Sequence, residues 1–546
     1  MNAPTDPVHV PVVVVGAGPT GTTAAIMLAQ RGIRCLVLDR WSQVYPLPRA
    51  VHFDDEVFRI LADLGPGFAE RVREISRPAA GMQLVDARLR VLAEFRRDAS
   101  GGANGHPQAN MFDQPDLERL LRDRLTALPN AELRGGVEVT AVDQPPDGPG
   151  RVRVRYRDVT TGAESDVWTD AVLGCDGANS FTRTCIGVAL RDLGFRQQWL
   201  VVDVHTAAPL PAYDGVQQVC DHDRAATFMM VTPGRYRWEF RLRVGERPDD
   251  LDDTQIVELI RPWLGTVAPA NLTVLRRTWY TFHGAVADRW RDRRVFLLGD
   301  AAHLTPPFIG QGLCAGIRDA ANLTWKLALV LDGRADDRLL ATYEAEREPY
   351  ARRVIRMAIV VGWLMTGGTA RTARLRRTLM RAVTRVPGVE QRILDTAWPA
   401  FRAGALTAGK DRAAGRVCPQ PRVRAADGQE MLLDRALGDG FAIIRRATTH
   451  TAGHDPGAKR YFDALGTRTV EVGGVDGVVD LDGGLTALLR RTRTDAVLVR
   501  PDRVIAASGG HRELASWRVL LETAGVADVV RDNPEANGDA RRASDS

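Results

Sequence analysis

Cysteine is scarce in this 546-residue chain: six residues, at positions 35, 175, 185, 220, 314 and 418, with no CxxC among them. Such spacing excludes a disulfide framework and a cysteine-based metal site, and it suits a reducing cytoplasm. Long apolar runs are missing as well; no stretch approaches the ~18 residues that a membrane span needs. The opening "MNAPTDPVHVPVVVVGAG" puts no basic region ahead of its short apolar run, so it does not read as a secretory signal. A soluble cytoplasmic protein is expected. Charge is nearly balanced: 73 Lys and Arg, nearly all Arg, stand against 68 Asp and Glu, leaving +5. The arginines are scattered except around Arg371–Arg385, which argues for a solvated helix face and against nucleic acid as a partner. With 45% hydrophobic and 26% charged residues, the chain has an ordinary globular composition and enough length for two or three domains.

What is present is a nucleotide-binding pattern. Val12–Val15 is a continuous β-branched run, as in a strand buried on both faces. Gly16, Ala17, Gly18, Pro19, Thr20 and Gly21 follow with GxGxxG spacing. A helical pattern then runs to Gln30, and a second apolar strand, Cys35–Leu38, ends in Asp39 and Arg40. The first glycine permits the tight turn, the second lets the backbone approach a pyrophosphate, and the third lets helix pack on strand. The helix N-terminus offers free N–H groups to phosphate. Asp39 stands where a carboxylate accepts ribose hydroxyls. These eight residues, 16–21, 39 and 40, are candidate cofactor ligands.

No second GxGxxG occurs, and one such motif serves FAD or NAD equally well. The stretch "GDAAHLTPPFIGQGLCAGIRDAANLTWKL" (299–327) bears on that choice. Its Asp300, His303 and Cys314 lack the spacing of metal ligands, and nothing local nominates a base to activate Cys314. A buried strand, a loop through Pro307, and Gly310-Gln311-Gly312 entering a helix make a second anion-facing helix start. A dinucleotide with a bulky redox ring at its far end uses two such contacts. Asp300 would take the ribityl or pyrophosphate side, and the amides of Gly312 and Leu313 would face the ring.

Elsewhere, "TDAVLGCDGANSFTR" (169–183) is a strand ending in a tight DG turn. From 190 to 290, segments such as "YRWEFRLRV" and "RRTWYTFHG" alternate like an antiparallel sheet. Helical patterns occupy roughly 315–405, and "GRVCPQPRV" reads as a linker. Residues 427–528 mix strand-like runs ("FAIIRR", "DAVLVRPDRVIAAS") with helices, and the polar end, 529–546, is expected to be disordered.

Together these segments resemble the FAD-dependent aromatic hydroxylases, the single-component phenol monooxygenases of the p-hydroxybenzoate hydroxylase type. Three fingerprints stand in order: GAGPTG at 16–21, "GCDGANSFTR" at 174–183 and "GDAAHLTPP" at 299–307; "FDQPDLERLLR" (112–122) and "PLPRA" add to them. The resemblance is strongest to the branch acting on 3-hydroxyphenyl acids, and polyketide and antibiotic hydroxylases share much of it. It implies an α/β fold. A Rossmann-like FAD-binding domain in two parts (10–190, and 291–410 with helices) would carry an inserted antiparallel-sheet substrate domain (191–290). A thioredoxin-like C-terminal domain (427–528) would follow. That last domain has no CxxC, so a packing or homodimer role is expected of it. Asp39 stands where Glu is more usual, and Cys314 where Asn is frequent; the second departure bears on the substrate.

The resemblance also implies the chemistry. NAD(P)H reduces FAD, O2 adds at the flavin C4a as a hydroperoxide, and its terminal oxygen passes to a carbon ortho or para to a phenol oxygen. Gln114 would meet the flavin, Arg49 the FAD phosphates, and Asp176 would support FAD and nicotinamide at the DG turn. Arg183 would act similarly, and His303 would pack behind the third motif. For the phenol, the polar residues of the middle sheet, His222, Tyr236, Tyr280 and His283, are the candidates, each also readable as a core residue; Cys314 would line the pocket. The expected substrate is a 3-(3-hydroxyphenyl)propionate-like acid giving a catechol. A polycyclic phenol, polyketide or antibiotic is the alternative, and a flavin oxidase or reductase without oxygen insertion is a second.

Overall fold

The computed structural model describes residues 8–46, 49–145, 150–247, 250–367, 400–401, 404–408, 411, 413–447, 455–510 and 513–527. The Arg-rich stretch 371–385 and the polar tail 529–546 lie outside them. Backbone proximity divides the chain into two units. One holds the chain to residue 102, residues 106–320 and the segment from 351; the other holds 103–105, 321–350 and the segment from 399.

Two eight-stranded sheets make up most of the first unit. In the nucleotide sheet, His9–Val15 pairs in parallel with Cys35–Asp39 on one side and with Glu164–Gly174 on the other; Val295–Leu297 lies beyond Glu164–Gly174, also parallel. Val12, Val13 and Val14 are wholly buried, as a strand covered on both faces requires. Burial of each is worth roughly 1.5–3 kcal/mol. The helix Pro19–Gln30 joins the first two strands and starts on a proline, where no N–H is needed.

The middle sheet sets Leu190–His205 between Thr273–Ala287 and Arg235–Arg241, followed by Ala226–Thr232 and Val216–Val219, all antiparallel. It then continues into Gly81–Val85, which pairs in parallel, and Val91–Arg96. These last two strands come from the first part of the chain, well before residue 191. Nothing in their own sequence announces a partner some 130 residues away. One face of the sheet is a core of Leu200, Val202, Phe228, Tyr236, Trp238 and Phe240, covered by Ile256, Ile260 and Trp263.

In the second unit, Ala442–Arg446, Pro456–Ala464, Arg468–Val472, Gly484–Thr492, Ala496–Val499, Ile505–Gly509 and Leu514–Thr523 alternate as β-α-β-α-β-β-α. The first two strands pair in parallel and the last two antiparallel, with spatial order second, first, third, fourth. This is the thioredoxin-like arrangement, and no cysteine lies within it. No helix among the described residues is long and apolar enough to cross a membrane.

Candidate functional site

Parallel strands in register end at one edge. Val15 lies beside Leu38 and Gly174, and Gly174 beside Leu297. The turns that leave these strands are therefore neighbours: Gly16–Gly21, Asp39-Arg40, Cys175-Asp176 and Gly299-Asp300. Three motifs distant in sequence meet for this reason, where open α/β sheets bind ligands. They line a cavity of about 1250 Å3 whose opposite wall is the middle sheet.

Gly16 has φ +101°, and a Cβ there would stand 2.5 Å from the Cys175 carbonyl oxygen; the first two motifs touch backbone to backbone. Gly21 does not line the cavity. A Cβ there would lie 2.0 Å from the Gly16 carbonyl oxygen, so it packs helix on turn. Gly18 and Gly312 differ, because a Cβ at either would meet nothing within 4 Å. Both open helices onto the cavity; neither helix has an acidic residue in its first turn, and the first has no side-chain cap. Such ends are anion sites, and a cofactor with phosphates near one helix start and a ring near the other fits them.

Asp39 accepts the Ala17 N–H at 2.6 Å and the Trp41 N–H at 2.7 Å, fixing its carboxylate at the cavity rim beside Arg40. Gln114 accepts the N–H groups of Arg49 (3.0 Å) and Ala50 (2.6 Å) and donates to Glu118 (2.7 Å). It clamps the loop whose Arg49 guanidinium lies 5.2 Å over Tyr45. Asp176 accepts the Ser180 hydroxyl (2.5 Å) and the Thr182 N–H (2.8 Å), so it shapes the DG turn as well as lining the cavity. Arg183 donates to the carbonyls of Ala178 (3.0 Å) and Ala301 (3.1 Å), tying the second motif to the third.

Asp300 faces the open cavity with protein on its other sides, and this enclosure raises its carboxyl pKa against the opposing charges of His303 and Arg49. Pro307, Gly310 and Leu313 line the same region. Behind Asp300, the buried Asp319 accepts the Gly299 N–H at 3.0 Å and meets His303 Nε2 at 2.8 Å. His303 is thus a support behind the wall. Asp319, the one acid in the helix Gly312–Leu331, was not singled out in the sequence because nothing there says which way a helical acid faces. Asp319→Ala orphans two buried groups at about 1–3 kcal/mol each. FAD affinity should fall roughly tenfold or more, as read by flavin fluorescence titration. A second buried clamp, Arg318, donates to Asp54 (2.7 Å), Glu56 (2.7 Å) and Gln311 (3.1 Å), holding the start of the helix Gly312–Leu331.

Of the five residues nominated for substrate, Tyr280 alone lines the cavity among the described residues. Tyr236 accepts the Leu210 N–H at 3.1 Å in the core on the opposite face. His283 pairs with Asp192 at 3.1 Å, and His222 with Asp221 at 3.2 Å. Cys314 is buried with Sγ 3.7 Å from the Gly310 carbonyl, and burial pushes its thiol pKa up, so it stays neutral. Strand geometry is the reason for Tyr236 and His283: side chains alternate between faces. In "YRWEFR" the aromatics enter the core, and Arg237 and Glu239 face the cavity. Gln218, Thr227 and His52 join them there. The available signal was a pair of charges alternating with aromatics in one strand; such a strand has two buried faces, one of which must meet something polar.

A doubly wound nucleotide sheet sharing one cavity with an antiparallel middle sheet defines a Rossmann-type flavoprotein. Residues 9–358 match the model of the FAD binding domain family, and residues 415–523 that of the HcaD C-terminal domain. The chain is 34% identical over 526 residues to the 3-(3-hydroxy-phenyl)propionate/3-hydroxycinnamic acid hydroxylase of Mycolicibacterium gilvum (strain PYR-GCK), covering 92% of this chain and 90% of that one. It is also 34% identical over 499 residues to the probable NADH-specific resorcinol 4-hydroxylase of Rhodococcus jostii (strain RHA1), covering 90% and 91%. Aklavinone-11 hydroxylase, solved with FAD and aklavinone, matches with TM-score 0.76 at 25% identity, covering 95% of this chain and all of that one. The chain belongs to the FAD-dependent aromatic hydroxylases, with FAD as cofactor and a nicotinamide as reductant.

Proposed function

We propose that this enzyme hydroxylates a phenol substituted meta to its hydroxyl, with a 3-(3-hydroxyphenyl)propionate-like acid as substrate and a catechol as product. The observation that carries this is the single cavity, bounded at one end by the three motif turns and at the other by the middle sheet. At about 1250 Å3 it exceeds an ordinary small-ligand pocket of ~300–1,000 Å3, which leaves space for a cofactor with a ring beside it. The Mycolicibacterium gilvum and Rhodococcus jostii relatives are named for 3-(3-hydroxy-phenyl)propionate, 3-hydroxycinnamic acid and resorcinol, phenols that each carry a meta substituent.

In this reading Gly16–Gly21 and the helix start behind them hold the pyrophosphate, Asp39 and Arg40 the ribose end, and Arg49, Gln114 and Asp176 the middle. Asp300 holds the ribityl or pyrophosphate side, and Pro307, Gly310, Gly312 and Leu313 the ring end. Bound FAD supplies two-electron transfer from NAD(P)H to O2, so that one oxygen atom enters the substrate and the other leaves as water. The protein binds and orients the phenol, and apolar side chains such as Met82, Leu84, Phe95 and Phe308 exclude water from the reacting ring. A cytoplasmic location and a homodimer belong to the same proposal and are read by cell fractionation and by sedimentation.

The test is NADH and NADPH oxidation by the purified enzyme with and without 3-(3-hydroxyphenyl)propionate and resorcinol, assaying product and H2O2 together. Stimulation with one product per reductant consumed is expected. Peroxide alone would favour an oxidase, and no stimulation would remove these substrates. The cavity's size, together with the likeness to aklavinone-11 hydroxylase, favours a polycyclic phenol as the second reading, and product analysis separates the two.

A further inference from the structure

Among the described residues, the cavity face of the middle sheet is apolar or internally paired except at the Tyr280 hydroxyl and at one carboxyl. Across neighbouring strands, one row of side chains runs Leu84, Gln218, Thr227, Glu239, Val201. Gln218 donates to the Phe308 carbonyl at 3.1 Å and accepts the Thr227 hydroxyl at 2.8 Å. The row therefore begins at the loop leading into the helix Gly312–Leu331, and Glu239 lies two strands farther, roughly 10 Å at ~4.8 Å per strand. The adjacent row contains Met229, Arg237 and Asp203. There Arg237 is committed: it donates to Asp203 at 2.7 and 3.0 Å and to the Arg49 carbonyl at 3.1 Å. Asp203 neutralises it, and Arg276 stands 3.9 Å from the same Asp203.

Glu239 is left as a cavity-lining carboxyl, 8% exposed, with no hydrogen bond to any described residue. A buried polar group without a partner costs stability, so its persistence calls for a ligand. Asp300 is the other lining carboxyl without a hydrogen bond among the described residues, but it sits at the motif end, on the Gly299 turn read above as a cofactor contact. The remaining acids on the cavity wall are occupied, and Glu138 pairs with Arg157 at 3.2 Å. Asp54 binds Arg318, Glu118 binds Gln114, Asp39 holds two N–H groups, and Asp176 holds Ser180 and Thr182.

We propose that Glu239 is the catalytic base that accepts the substrate's phenolic proton. The proposal rests on the function read above and names the residue that activates the substrate. The phenol O–H bond breaks, its proton goes to a Glu239 carboxylate oxygen, and the pair of electrons left on oxygen raises the electron density of the ortho carbon. O2 supplies the oxygen atom and NAD(P)H the two electrons. On rearomatisation the ring carbon releases its hydrogen as a proton, and the phenol oxygen recovers the proton from Glu239, which returns to carboxylate.

The charged groups facing Glu239 are Arg237 on its own strand and Asp203 on the next; its cross-strand neighbours Thr227 and Val201 are neutral. Burial is the largest influence and pushes its pKa up to about 7, against Arg237 and with Asp203. A base must be ionised to act, so product formation should rise with pH through this value.

The experiment compares full-length, FAD-loaded wild type, Glu239→Gln and Glu239→Asp across pH 5.5–9, with 3-(3-hydroxyphenyl)propionate and resorcinol as probes. Flavin content checks folding. Coupled product formation by Glu239→Gln should fall about 10²–10⁴-fold. Its residual rate should climb only toward the phenol's own pKa of ~10, and the Asp variant should recover part of the rate. The near-UV difference spectrum should show bound phenolate in wild type and neutral phenol in Glu239→Gln. Retention of the wild-type rate and pH profile in Glu239→Gln overturns the assignment. So does a lowered rate with an unchanged profile and phenolate band, which would make Glu239 an orienting group. If neither phenol drives reductant consumption in wild type, the function reading falls and the base assignment with it; if wild type turns over and Glu239→Gln matches it, the base assignment falls alone.

Discussion

Gly16→Ala is expected to give a chain that binds no FAD. Gly16 occupies φ +101°, a region that strains any residue with a Cβ, and the added methyl would sit 2.5 Å from the Cys175 carbonyl oxygen, 2.8 Å from its carbon and 3.0 Å from Asp176 Cα. All three are backbone atoms, so no side chain can rotate away. The second motif has to move if the first is altered, and Asp176 moves with it. Gly18→Ala provides the contrast: its methyl meets no protein atom within 4 Å and projects into the cavity. That variant should melt like FAD-free wild type yet hold cofactor at least tenfold more weakly. Flavin absorbance after purification and circular-dichroism melting separate the outcomes. Full FAD content in Gly16→Ala would refute the claim that the first two motifs are packed backbone to backbone.

The second large effect concerns the other unit. Glu346 is a buried carboxylate that accepts from Lys326 at 2.8 Å, Asn322 at 2.8 Å and Arg500 at 2.6 and 2.9 Å, and Asp502 accepts from Arg500 at 2.6 Å. Two cations face two anions, away from water. Burial alone would raise the Glu346 pKa, but Arg500 and Lys326 together overcome it and hold the carboxyl well below the usual range. Glu346→Ala leaves Lys326 and Arg500 with Asp502 alone and should cost about 3–5 kcal/mol of stability. Lys326→Met, which leaves Glu346 bidentate with Arg500, should cost less. Because the folded pKa of Glu346 is depressed, its contribution is present above the ordinary Glu value of 4.5 and is lost as pH falls below it. The gap between wild type and Glu346→Ala in urea unfolding should therefore narrow with acid. Equal midpoints at pH 7 would mean the network contributes nothing net.

These two sites were not equally visible in the amino-acid sequence. The FAD cradle was, because its parts are local. A β-branched run, three spaced glycines, a helical pattern and a terminal acid fall within residues 12–40, and each has a conformational task that few other residues perform. The DG turn and the Gly299-Asp300 turn were equally readable as strand ends, and parallel register brings such ends to one edge. Buried-strand texture and helix patterns follow from periodicity for the same reason, whereas the thioredoxin-like order of the second unit came from resemblance, with only the runs "FAIIRR" and "DAVLVRPDRVIAAS" legible as strands.

What tertiary structure decided was which surface each element shows to which neighbour. Period-2 alternation in "YRWEFR" announces two faces without saying which one meets a cavity, so Tyr236 and Glu239 could not be told apart until helix Asp253–Ile260 covered one side. Gly81–Val85 joins the middle sheet, Asp319 reaches back to Gly299, and Glu346 finds Arg500 154 residues along the chain. Local propensity acts over a turn or a strand, whereas pairing and burial are settled by the cooperative packing of the whole unit, and the substrate end of this enzyme is built from the second kind of contact.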